Sequence, residues 1–131
     1  MIKNILGIVV IGLLWCNVGF AEKWTRYGET KSLTVYYDKK SWKIDGSKAY
    51  INILYDLKKP LVRAEGTFNS MVMYQENDCK EFKSRELETF FYETQMGQNK
   101  YLTSAGKSKW RQVSEYTSLD GSLFKAACKI K

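Results

Sequence analysis

The stretch from Ala49 to Tyr55 leaves this chain the least freedom, because it alternates without a break. Ala49, Ile51, Ile53 and Tyr55 fall on one side of an extended backbone, and Tyr50, Asn52 and Leu54 on the other. An apolar stripe of period two marks a half-buried strand, which needs neighbouring strands and a cover. The neighbours are visible on both sides. Leu33, Val35 and Tyr37 alternate with Thr34 and Tyr36. Asp45-Gly46, between Trp42–Ile44 and the central strand, is a hairpin signal, because glycine accepts the positive φ such a turn requires. Phe68 to Glu76 reads as a further strand, with Phe68, Val72 and Tyr74 on one face and Met71 and Met73 on the other. Ser84 to Glu93, rich in Phe and Tyr, is the next, with Asn77-Asp78 near the link. Met96-Gly97 and Ala105-Gly106 mark later turns. Pro60, after Lys58-Lys59, suits a loop or a strand end, since proline cannot donate to a ladder.

The period changes near the end of the chain. Leu119, Leu123 and Ala127 recur at i, i+4 and i+8, with Phe124 and Cys128 beside them, which is one apolar helix face. Thr117 and Asp120 stand at capping-box spacing, and Ser118 offers another cap. Gly121 inside the helix costs up to ~1 kcal/mol relative to alanine. Strands followed by one terminal helix give an α+β domain. No repeat, low-complexity tract or linker interrupts residues 22–131.

The first residues set the compartment. Lys3 precedes an almost wholly apolar run from Ile5 to Phe20, which closes on Gly19-Phe20-Ala21. This is the layout of a secretory signal peptide, with cleavage expected after Ala21. An uncleaved anchor would need roughly 20 apolar residues, more than are present. A lipoprotein would begin at Cys16, but the residue before it is Trp15, where a small residue is normal. Residues 22–131 remain as a single domain of 110 residues, and loss of Lys3 lowers the net charge from +7 to +6. No later stretch is long and apolar enough to span a membrane, so membrane contact is at most peripheral. Cys79 and Cys128 are the only cysteines left, and an even count in an oxidising compartment predicts one disulfide. It would close a loop of about 50 residues, for which chain entropy gives on the order of 4 kcal/mol.

Taken in order, several of these pieces resemble the surface-adhesin protein E family of Gram-negative bacteria, over nearly all of residues 22–131. They are Trp24 with Gly28-Glu29, Val35-Tyr36-Tyr37-Asp38, Ile53-Leu54-Tyr55-Asp56 leading into Lys58-Lys59-Pro60, and Asp78-Cys79 after a strand. Met96-Gly97, Trp110 and the closing Leu123–Cys128 segment complete the set. The resemblance implies about six antiparallel strands packed on a C-terminal helix, dimerisation, and binding to host extracellular proteins. The chain departs from a surface lipoprotein in having Trp15 before Cys16, which leaves the periplasm and the outer surface both open as its location.

The chemistry available is restricted. The chain has no histidine, which removes the usual general base and the commonest metal ligand, so no metal or cofactor is expected. Both remaining cysteines are committed to each other, and no glycine-rich phosphate loop is present. Glu86 and Glu88 would share a face of a regular strand, as a glycosidase pair could, but with Lys83 and Arg85 beside them the stretch reads as a solvated strand face. An enzyme is not expected. Lys107, Lys109, Trp110 and Arg111 place three cations around an aromatic, with Lys39-Lys40 and Lys58-Lys59 elsewhere. Such a patch suits sulfated glycans, anionic headgroups or acidic protein surfaces; export argues against nucleic acid. The plainer reading puts Trp110 in the core and leaves the lysines to solubilise the loop. Two functions follow as expectations: an adhesin-like protein binding host matrix or serum proteins, or a periplasmic inhibitor or immunity protein with a resident partner.

Overall fold

The computed structural model describes residues 23–113 and 118–129; the leader and Thr117 lie outside them. Seven strands form one antiparallel sheet: β1 (Thr25–Glu29), β2 (Leu33–Asp45), β3 (Lys48–Arg63), β4 (Gly66–Asp78), β5 (Lys83–Tyr92), β6 (Thr103–Ala105) and β7 (Arg111–Gln112). A 3-10 turn spans Gln95–Gly97, and one helix, α1 (Leu119–Ala127), closes the chain. The strands lie in the order β1-β2-β3-β4-β5-β6, and β7 shares the outer edge of β5 with β6. The molecule is mostly sheet, so the expected α+β class holds only in its broad sense.

Alternation on β3 sets the two faces. Ala49, Ile51 and Ile53 are buried with Val35, Met73, Leu123 and Ala127, so the stripe read from the sequence is the one the helix covers. The helix begins at Ser118, whose hydroxyl accepts from the Gly121 amide at 3.1 Å. Its far end is tied down twice. The Cys79–Cys128 disulfide joins it to the end of β4, with the Cα atoms 5.7 Å apart. The indole N–H of Trp42 donates to the Ala127 carbonyl at 2.9 Å. At the near edge the Tyr27 hydroxyl donates to the Ser122 carbonyl at 3.1 Å and also bonds its hydroxyl. These contacts frame an apolar cavity of about 200 Å³ lined by Tyr27, Tyr37, Trp42, Ile53 and Leu123. Strand β1, which carries Tyr27, is too short and polar to show period two in the sequence.

The opposite face is covered only in part. Leu54 points away from the helix yet is fully buried, because the turn at Gln95–Gly97 folds back over it. Gly97 has φ +59, and a Cβ there would come within 2.9 Å of the Val72 side chain. Both facts demand glycine. The turn is held by the Met96 amide on Asp56 at 2.7 Å and the Gly97 amide on the Ser70 hydroxyl at 2.9 Å.

One expectation fails here. Pro60 lies inside β3 rather than in a loop or at a strand end. The ladder to β4 breaks between Asp56 and Leu61, so the missing N–H falls where no pairing is made. The Asp45-Gly46 hairpin is as expected, with Gly46 at φ +62.

Candidate functional site

The exposed half of the sheet face opposite the helix gathers aromatic rings and cations from five segments. On β3, Lys48 and Tyr50 alternate with buried Ala49, and so emerge on this side. On β4, Tyr74 and Glu76 pair across from Asn52 and Tyr50. Arg85 on β5 pairs with Glu76. Lys43 on β2 pairs with Tyr50. Trp110 reaches the cluster from the segment between β6 and β7, which is fastened to β5. Ser108 donates its amide to the Glu86 carbonyl at 2.9 Å, and its hydroxyl accepts from the Glu86 amide at 3.0 Å.

Glu76 is the hub. It is only 5% exposed, and it receives Arg85 Nε at 2.7 Å and the Tyr50 hydroxyl at 2.9 Å, with Lys48 at 3.9 Å. Burial pushes its carboxyl up, but the bonds from Arg85 and Tyr50 and the charges of Arg85 and Lys48 outweigh it and hold it below the usual range. The same bond to Glu76, helped by burial, pushes the Tyr50 phenol up. The Arg85 guanidinium lies 4.1 Å from the Trp110 ring centroid, and the Lys48 ammonium 5.6 Å. Lys43 stands 5.6 Å from the Tyr50 ring, which stacks on Tyr74 at 6.2 Å. Three cations are thus seated on aromatic rings around one carboxylate.

The four residues singled out in sequence are divided by the fold. Lys107 and Lys109 are exposed on the segment before Trp110. Trp110 is half-buried and is not part of the buried core, contrary to the plainer reading. Its cations come from β3 and β5 rather than from its chain neighbours. Arg111 turns away. It grips Glu86 through both terminal nitrogens, at 2.9 and 2.8 Å, and Asp120 through Nε at 3.1 Å, clasping the start of α1 to β5. Burial alone would lower the Arg111 pKa, but the two carboxylates more than reverse this. Beside this clasp, burial and the charges of Asp120 and Glu86 raise the Tyr55 phenol to about 12.

Glu86 and Glu88 do not share a face. Gln75 pairs with Glu86 and the adjacent Tyr74 with Glu88, so a bulge at Leu87 turns the two carboxylates to opposite sides. With Glu86 also bound by Arg111, no carboxylate pair forms there. Lys48, Tyr50, Tyr74, Glu76 and Arg85 carry no local signal in the sequence, because each is ordinary among its chain neighbours. Only the strand register brings them together.

The surface-adhesin protein E family model matches residues 24–129 of this chain, and the chain belongs to that family. The fold is shared with protein E of Haemophilus influenzae. A crystal structure from a non-typeable strain superposes with a TM-score of 0.55 at 19% identity, covering 82% of this chain and 73% of that one. A second crystal form gives 0.52 at 22%, covering 82% and 86%. No curated protein matches the sequence. Among the described residues no helix is long and apolar enough to cross a membrane.

Proposed function

We propose that this member of the surface-adhesin protein E family is an exported, non-enzymatic binding protein that engages host matrix or serum proteins at the bacterial surface. Residues 1–21 act as its signal peptide and are removed after Ala21, leaving a single binding domain. The family match over residues 24–129 carries the proposal. The cationic, aromatic half of the sheet serves as the contact surface, where Lys107, Lys109 and Trp110 join Lys43, Lys48 and Arg85. Antibody labelling of intact and outer-membrane-permeabilised cells tests it, together with binding of the purified protein to immobilised extracellular matrix. Labelling of intact cells and saturable matrix binding are the expected results. Labelling only after permeabilisation would defeat the surface reading.

A second reading draws on Trp15 before Cys16, which removes the usual lipid attachment site. It places the protein in the periplasm as an inhibitor or immunity protein. One stoichiometric partner recovered from periplasmic extract, without labelling of intact cells, would select it.

A further inference from the structure

The ligand chemistry of the open face can be taken further, on the premise that the protein binds outside the cell. We infer that this face binds an acidic polysaccharide, with Arg85, Lys48 and Lys43 taking the oxyanion groups that recur along such a chain.

Charge comes first. One carboxylate, Glu76, is shared by Arg85 and Lys48, and Lys43 has no ion-pair partner among the described residues. The register also sets Asp45 opposite Lys48 and Glu88 opposite Tyr74, so the three ring-seated cations are balanced by three carboxylates, and the positive excess comes from exposed Lys107 and Lys109 on the segment that carries Trp110. Preorganisation comes second. Arg85 is fixed at Nε by Glu76 and by its seat over the Trp110 ring, and its terminal nitrogens take no partner among the described residues. Those N–H groups form the edge that matches a sulfate or carboxylate. Lys48 and Lys43 are likewise positioned by aromatic rings, which reduces the entropy lost when an anion is bound.

Shape separates the ligand classes. A protein partner would want apolar area at the centre of the contact. Here the rings of Trp110 and Tyr50 are turned toward their own cations. A bilayer would want protruding apolar side chains, and the most exposed of these, Val62 and Tyr101, lie away from the cluster, near the β3–β4 turn and before β6. A flat face of fixed cations and half-exposed phenols fits an extended, polar, repeating polyanion.

The test uses the disulfide-intact protein and size-defined heparin oligosaccharides, with hyaluronan oligosaccharides, poly-glutamate and phosphatidylglycerol vesicles as comparators. Heparin is expected to bind tighter than poly-glutamate and the vesicles. Hyaluronan binding as well would show that carboxylates suffice, and its failure would show that sulfate is needed. Either outcome is compatible with the inference. Trp110→Leu is expected to weaken heparin about tenfold, as when cations of unchanged number lose their fixed positions. It should leave poly-glutamate unchanged. A joint Lys43→Gln, Lys48→Gln variant, which spares the core, should lose heparin by at least that factor. Equal affinity for poly-glutamate or vesicles, or variants that bind heparin like the parent, would overturn the inference. So would no heparin binding at all. Matrix digested with heparinase and hyaluronidase separates the two proposals. Unchanged binding to stripped matrix sinks the glycan inference and spares the adhesin-like function, whereas no binding to intact matrix sinks both.

Discussion

The two faces of one sheet are stabilised in different ways. Toward the helix, Val35, Ile51, Ile53 and Met73 exclude water against Leu123 and Ala127, and a covalent bond fixes the cover. Away from it, Tyr50, Arg85 and Trp110 stay partly in solvent around the buried Glu76, held by hydrogen bonds and ring contacts. Successive residues of the same strands serve both. On the first face burial, which has no direction of its own, supplies most of the stability, and a few bonds at the rim fix the helix. The second is weaker in energy but fixed in the direction of its charges, which is what a binding surface needs.

Releasing the helix from the sheet should have the largest effect. Cys128→Ser should cost about 4 kcal/mol, given the closed loop of about 50 residues. The melting temperature of the parent should fall comparably under reductant, and a midpoint unmoved by either treatment would show that the helix is held by packing alone. Next in size, Leu123→Ala should cost about 3 kcal/mol, as for a well-packed leucine replaced in a core. It is 5% exposed at the centre of the helix contact. Urea unfolding measures this, and a loss below about 1 kcal/mol would mean that the helix face collapses onto the cavity beside Tyr27 and Trp42.

The helix face was legible in the sequence and the open face was not, for one physical reason. A buried face writes itself as a period: Ala49-Ile51-Ile53 at two, Leu119-Leu123-Ala127 near four. The cysteines added the staple. The open face is written in pairings between strands. Glu76 meets Arg85 through the β4–β5 ladder and Tyr50 through β3–β4, and no local pattern announces either. Register also defeated the local readings that failed. One bulge at Leu87 parted Glu86 from Glu88, and a gap in the β3–β4 ladder absorbed Pro60 within a strand. Trp110 was found, but its neighbours in sequence misled. Arg111 belongs to the clasp on the helix side, while Lys48 and Arg85 supply the cations over the ring.

The clasp offers a pH test of the covered side. The Tyr55 phenol is raised to about 12, through burial first and then the charges of Asp120 and Glu86. A raised pKa means that the unfolded chain releases its proton earlier than the folded one. The stabilisation is therefore complete below pH 10 and lost as pH climbs from 10 to about 12. Over that window about 2 kcal/mol should disappear. Tyr55→Phe should remove this part of the alkaline decline while changing stability at pH 8 by less than about 1 kcal/mol. Equal declines in parent and variant would show that other groups govern alkaline unfolding.

The smallest effect belongs to the open face, and its sign with pH is opposite. The carboxyl of Glu76 is held low, since the bonds from Arg85 and Tyr50 overcome burial. The folded state therefore binds its proton less readily than the unfolded one. The stabilisation is complete above the ordinary value of 4.5 and fades as pH falls through the lower, folded value. Glu76→Gln removes the charge but keeps an acceptor for Tyr50. Because Lys48 and Arg85 retain 39% and 19% side-chain exposure, water relieves part of the loss. The cost at pH 7 should be on the order of 1 kcal/mol. Urea midpoints at pH 7 and pH 3 should then converge: the parent gives up at low pH what the variant never had. A gap of the same size at both values would mean that Glu76 acts through shape rather than charge. The open face would then be packed like the covered one, and the contrast between the two faces would be lost.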